Sequence, residues 1–202
     1  ALSSAASDVY KRQSALRELI YKNDYTAAIP YLTGEYGILL EELKNHKPDK
    51  KTFSDLAVYK LRISSTDEIA KAFDCREGLE YRLSDAARSC ITIEDVLLRT
   101  KTKRYTMSRL KRVILQVMLG ITDEFYKNSY FLPPRLLAIK ENFKPCLTEN
   151  GKNMIIRTED MLRYDGEYYE RYFEVEKKAA ALYSVITENK DDLFTPGKLI
   201  CL

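Results

Sequence analysis

Between Thr106 and Gly120 the apolar residues Met107, Leu110, Val113, Ile114, Val117 and Met118 recur three and four positions apart. That spacing places them on one face of an α-helix and commits the face to a core. Thr106 or Ser108 supplies the opening cap, and Gly120 the stop. Arg109, Arg112 and Gln116 fall on the opposite side. The helical period returns in Phe53 to Ile63, in Leu79, Leu83, Ala86 and Ala87 of the segment Glu77 to Ser89, and in Thr92 to Leu98. It is longest from Asp165 or Gly166 to about Thr187, where Tyr168, Tyr172, Val175, Ala179, Leu182 and Ile186 form one seam. Only seven glycines and six prolines interrupt the 202 residues, which suits helices.

The expected fold is therefore mainly α, a helical bundle-like domain. Shorter helices are expected at Ser14 to Tyr21, from an Asn23-Asp24 cap through Leu32, and at Ile38 to Lys44. Asn45 to Lys51, with His46, reads as a polar loop. Ile63-Ser64-Ser65-Thr66 is similar to the phosphate-binding Ile-Ser-Ser-Thr of nucleotidyltransferases. No arginine follows at the needed spacing, so Ser65 and Glu68 are read as a capping box that opens a helix to Phe73. Leu136 to Ile139 and Met154 to Arg157 are short apolar runs expected to pair as a small two-stranded β element near residues 136–157. Lys198 to Leu202 reads as an extended arm. A soft boundary near Ser129 to Pro134 divides a helical region, 14–132, from a C-terminal α+β subregion, 133–202. Residues 1–13 lack apolar periodicity and resemble a translated sequencing adapter. They are set aside as a non-native leader.

The face opposite the apolar stripe belongs to a segment of unusual charge. Arg99 to Arg112 holds Arg99, Lys101, Lys103, Arg104, Arg109, Lys111 and Arg112 and no acidic residue. Without these seven cations the formal net charge of +3 becomes −4, so the positive potential is local. A concentrated cationic strip on a mildly acidic chain suits a polyanion, most simply a nucleic-acid backbone. Lys101, Lys103 and Arg104 precede a helix whose first turn adds a positive dipole end. Thr100, Thr102 and Thr106 bring hydroxyls, and Tyr105 brings a ring able to stack on a base. The alternative is a non-enzymatic helical scaffold whose basic face docks an acidic protein, or whose charges pair with acidic neighbours.

Other chemistries find no support in the residues. Cys75, Cys90, Cys146 and Cys201 form no Cys-x-x-Cys pair, and His46 is the one histidine, so a zinc site is not expected. The thiols read as reduced and cytoplasmic, with Cys75 and Cys90 as small core residues. No glycines cluster into a phosphate-cradling loop, and no nucleophile has a paired base.

Three motifs occur in order: Glu77-Gly78-Leu79-Glu80-Tyr81-Arg82-Leu83, Thr100-Lys101-Thr102-Lys103-Arg104-Tyr105-Thr106 and Leu119-Gly120-Ile121-Thr122. With Leu182-Tyr183-Ser184 near the end, they resemble the C-terminal region of the bacterial tRNA(Met) cytidine acetate ligases from about Ser14 onward. The resemblance implies an enzyme that activates acetate with ATP, Mg2+ accompanying the nucleotide. It acetylates N4 of the wobble cytidine in elongator tRNA(Met), in the cytoplasm and away from membranes. Joined to the charge of the segment, it makes Arg99, Lys101, Lys103, Arg104, Tyr105, Arg109, Lys111 and Arg112 the expected contacts to tRNA. The family's nucleotidyltransferase-like domain carries His-x-Gly-His, a motif these residues lack. That domain is therefore expected to be missing and this chain alone inactive, with no catalytic residue of its own. Ser14-Ala15-Leu16-Arg17 is similar to the end of the family's Ile-Ser-Ser-Thr-Ala-Ile-Arg, which makes Arg17 a candidate ligand of the ATP phosphates.

Overall fold

The computed structural model describes residues 15–31, 47–127, 133–136, 138–147, 154–156, 158–188 and 200–201. It divides into two compact units, residues 1–47 and 48–202. The division falls at Lys47, and the residues on both sides of 129–134 share the second unit.

In the first unit, residues 15–21 are helical (α1). Asn23 adopts a left-handed φ of 60° and ends that run. Asp24 then caps a short helix, Tyr25–Ala28 (α2), by accepting from the Ala27 N–H at 3.1 Å. The chain continues as a 3-10 turn, Ile29–Tyr31. The Lys47 ammonium donates to the Tyr21 carbonyl and to Asn23 Oδ1 at 2.6 and 3.1 Å, tying the two helices' junction to the end of the unit. The helix expected at 38–44, Leu32 and His46 lie outside the described residues.

The second unit is a cluster of helices: Lys50–Ile63 (α3), Thr66–Ala70 (α4), Leu79–Ser89 (α5), Ile93–Thr100 (α6), Met107–Leu119 (α7), Asp123–Lys127 (α8) and Glu167–Thr187 (α9). Their ends follow local chemistry. Asp49 accepts from the N–H groups of Lys51 and Thr52 to start α3. Ser65 and Glu68 form the expected capping box, although α4 stops at Ala70. Thr92 caps α6 and Thr106 caps α7, each hydroxyl accepting from the N–H three residues on. Gly120 closes α7 at φ 73°, a conformation that costs glycine little.

Helix α3 packs on α5, α6 and α7, and the long α9 lies against α3 and α7. The core holds Leu61, Ile69, Leu79, Leu83, Val96, Leu110 and Val113, all fully or nearly fully buried. Ser54 reaches across to accept from the Ile93 N–H at 2.9 Å, so α3 also fixes the start of α6. Arg62 on α3 donates to the carbonyls of Ala87 and Cys90, both at 2.8 Å, and satisfies the end of α5. The seam of α9 is half-buried, and its Glu176 accepts from Arg135 at 2.9 Å and from the Tyr172 hydroxyl at 2.7 Å.

The β element departs from expectation. Among the described residues of the two runs expected to pair, there is no ladder: the chain around them meets in one parallel bridge, Arg135 with Ile155, held by Leu136 N–H to Ile155 O at 3.0 Å and Ile155 N–H to Pro134 O at 2.9 Å. Strand β1, Ala138–Ile139, pairs instead in parallel with β2, Ile200–Cys201, from the expected extended arm. A short apolar run specifies that it will be covered and leaves open which distant strand pairs with it.

Cys75, Cys90 and Cys146 are free thiols. Burial pushes the Cys75 thiol up to about 12, with the Glu80 carboxylate adding to the shift. At neutral pH an aromatic disulfide reagent is expected to label exposed Cys146 and leave Cys75 untouched until denaturant is added. Peptide mapping of the labelled protein checks this, and rapid native labelling of Cys75 would contradict it.

Candidate nucleic-acid interface

The cationic segment 99–112 spans the end of α6, the connection 101–105 and the first half of α7. Thr106 and the apolar stripe of α7 fix where its side chains point. Lys101, Lys103 and Lys111 are exposed, and none has an ion pair among the described residues. The arginines behave differently. Arg104 Nε donates to Glu77 Oε2 at 2.7 Å. Arg109 lies 3.4 Å from Asp74 Oδ1 and 3.8 Å from Glu77 Oε2. Arg112 lies 3.6 Å from Asp74 Oδ2, and Arg99 lies 3.6 Å from Asp85 Oδ2. The absence of acids along the segment is therefore made good in space by the connection between α4 and α5, and by α5 itself.

Three expectations change here. Tyr105 is 4% exposed and belongs to the core, so its ring is not presented to a base. Its hydroxyl donates to the Glu77 carbonyl at 2.6 Å, and the guanidinium of Arg109 lies 5.4 Å from its ring centre. Locally, the Thr102 N–H donates to the Tyr105 carbonyl at 3.3 Å and the Tyr105 N–H donates to the Thr102 hydroxyl at 3.1 Å. Gln116 is buried rather than on an outer face, and Arg109 is only 16% exposed. Of the three hydroxyls, Thr100 is buried, Thr102 accepts from the Tyr105 N–H and Thr106 is spent on its cap.

Asp74 and Glu77 were not singled out by sequence. They sit in a turn where Asp74, Glu77 and Gly78 take left-handed φ values of 65°, 69° and 82°. Such values are strained for residues other than glycine. The turn is bolted down by Arg109, whose Nε and Nη2 both donate to the Asp74 carbonyl at 3.0 and 2.8 Å, and by Tyr105 at Glu77. The Arg104 hydrogen bond holds the Glu77 carboxyl below its ordinary value, against a smaller opposing effect of desolvation. Glu77 is thus an anion at neutral pH. The helix expected from Glu77 starts instead at Leu79, which leaves Glu77 in this turn and Gly78 at the helix N-cap.

Arg17 is exposed on α1 in the first unit. Among the described residues no group of three His, Cys, Asp or Glu side chains could hold a metal ion, and no helix is long and apolar enough to cross a membrane.

The model of the HIGH nucleotidyl transferase family matches residues 3–194. The tRNA(Met) cytidine acetate ligase of Limosilactobacillus reuteri (strain DSM 20016) is 29% identical over 189 residues, which cover 93% of this chain and 48% of that protein. The corresponding ligase of Anoxybacillus flavithermus (strain DSM 21510 / WK1) is 30% identical over 141 residues, 64% of this chain and 33% of that one. The crystal structure of Thermotoga maritima TmcAL bound with alpha-thio ATP shares the fold, with a TM-score of 0.77 at 21% identity over 94% of this chain and 51% of that chain. The chain spans about half the length of the curated relatives it matches. A match to the nucleotidyl transferase model over residues 3–194 gives no support to the expectation that such a domain is missing, and it begins inside the 1–13 segment set aside as a leader.

Proposed function

The chain belongs to the HIGH nucleotidyl transferase family, and on that premise we propose that it holds tRNA for an enzyme forming N4-acetylcytidine at the wobble position of elongator tRNA(Met) from acetate and ATP. Relatives named tRNA(Met) cytidine acetate ligase support the substrate class. The observation that carries the RNA-holding role is the trio Lys101, Lys103 and Lys111, exposed and without an ion pair among the described residues, beside Arg99, Arg104 and Arg112. Those three arginines are more than half exposed, and exposed ion pairs are weak enough to be traded for phosphate. The lysines meet phosphates first as mobile point charges, and the arginines add planar, two-toothed contacts where a phosphate reaches them. Arg109 and Tyr105 contribute by fixing the turn below the arginines, without touching RNA themselves.

Arg17 is the residue the family pattern links to nucleotide phosphates. One exposed arginine does not make a nucleotide site, so the roles assigned to these side chains are confined to holding RNA. Holding the base near an activated acyl group is itself a contribution, because proximity removes much of the entropic barrier to forming the amide bond at N4.

A gel-shift titration with total tRNA beside duplex DNA of equal phosphate content tests the reading at low salt. Retardation of tRNA at lower protein concentration than duplex is expected. With about four phosphate contacts, log affinity should fall against log salt with a slope of roughly −3 to −4. Absence of any tRNA shift would overturn the proposal and leave the docking of an acidic protein as the better reading.

A further inference from the structure

The strained turn beneath the arginines has a second property: its two carboxylates pair with arginines of the cationic strip. Glu77 engages Arg104 and Arg109, and Asp74 engages Arg109 and Arg112. Neither acid is loosely placed. Both backbone carbonyls are bound by core-facing groups, and Cys75 between them is buried. A backbone held in a costly conformation by several bonds at once points to a role for the side chains it presents.

We infer that Asp74 and Glu77 are specificity-determining residues that occupy the arginines of the strip and so discriminate between polyanions; this rests on the RNA-holding reading above. A stiff duplex offers phosphates at fixed spacing along a convex surface. It can reach the exposed Lys101, Lys103 and Lys111, yet it has little freedom to bring a phosphate into the place of either carboxylate. Folded RNA exposes single-stranded loops whose phosphates and bases can be splayed out. Such a loop can take the place of Glu77 at Arg104 and of Asp74 at Arg112 while the displaced carboxylates, both partly exposed, turn to solvent. Specificity obtained this way is a penalty on the wrong partner as much as a gain with the right one.

The decisive variant is D74N/E77Q, which keeps size and hydrogen-bonding shape and leaves the Asp74 and Glu77 carbonyls to Arg109 and Tyr105. Binding of duplex DNA and of total tRNA is measured across a salt series for the parent and the variant. Duplex affinity is expected to rise at least about tenfold, with a salt slope steeper by about two as Arg104 and Arg112 become available. Affinity for tRNA is expected to change by less than about threefold. An equal gain for both polyanions, or no gain for either, overturns the inference. If the double variant unfolds, E77Q alone gives the same comparison, with a slope change of about one. Failure of the parent protein to bind tRNA would sink the functional reading itself, whereas equal gains in a tRNA-binding protein would sink this inference alone.

Discussion

Replacing Lys101, Lys103 and Lys111 together with glutamate is expected to reduce tRNA affinity by about 100-fold or more and to flatten the salt dependence by about two to three in slope. The reasoning is electrostatic and local. These are the cations of the strip without a carboxylate partner among the described residues, so their full charge faces solvent. Each phosphate they neutralise releases counterion, and each reversal adds repulsion in its place. None contributes to the apolar cluster. The melting temperature should therefore stay close to that of the parent, and circular dichroism gives that control. A folded triple variant with parental tRNA affinity would move the RNA surface elsewhere on the molecule.

The second large effect belongs to packing. Leu110 is fully buried on the same helix that presents Lys111 and Arg112. Leu110→Ala removes side-chain volume from the buried cluster, where α7 packs on α3 and α6, and is expected to cost about 3 kcal/mol. For a unit of this size that lowers the melting temperature by on the order of 10 °C. Thermal unfolding followed at 222 nm checks the value. A loss below about 1 kcal/mol would mean that the helices re-pack around the gap. The two substitutions test different links: one removes affinity from a stable scaffold, and the other weakens the scaffold beneath an intact surface.

The helices were legible because their signals are local. Ser65 with Glu68 and Gly120 act within one turn where the sequence places them, Thr106 is the cap of the two residues that could serve, and Thr92 stands just outside the helix expected to start with it. The small β element was not legible, since Ala138 and Ile139 find partners in Ile200 and Cys201, some sixty residues away. The charge environment of the strip was hidden for the same reason. A window from Arg99 to Arg112 shows seven cations, but Asp85 reaches Arg99 from α5, and Asp74 and Glu77 reach Arg104, Arg109 and Arg112 from the connection before it, all from outside that window. Tyr105 and Gln116 show a related limit. Both are buried once the helices pack, and local period alone cannot report that.

The buried members of the apolar cluster all fall between Ala57 and Val117. Within it the sequence neighbours α5 and α6 pack on each other, while the contact of α3 with α7 joins the two ends of that span. During synthesis on the ribosome, these residues can collapse as soon as the helix ending at Leu119 has cleared the exit tunnel. The cationic surface then forms on nascent protein, before translation has reached the long helix that will later brace it.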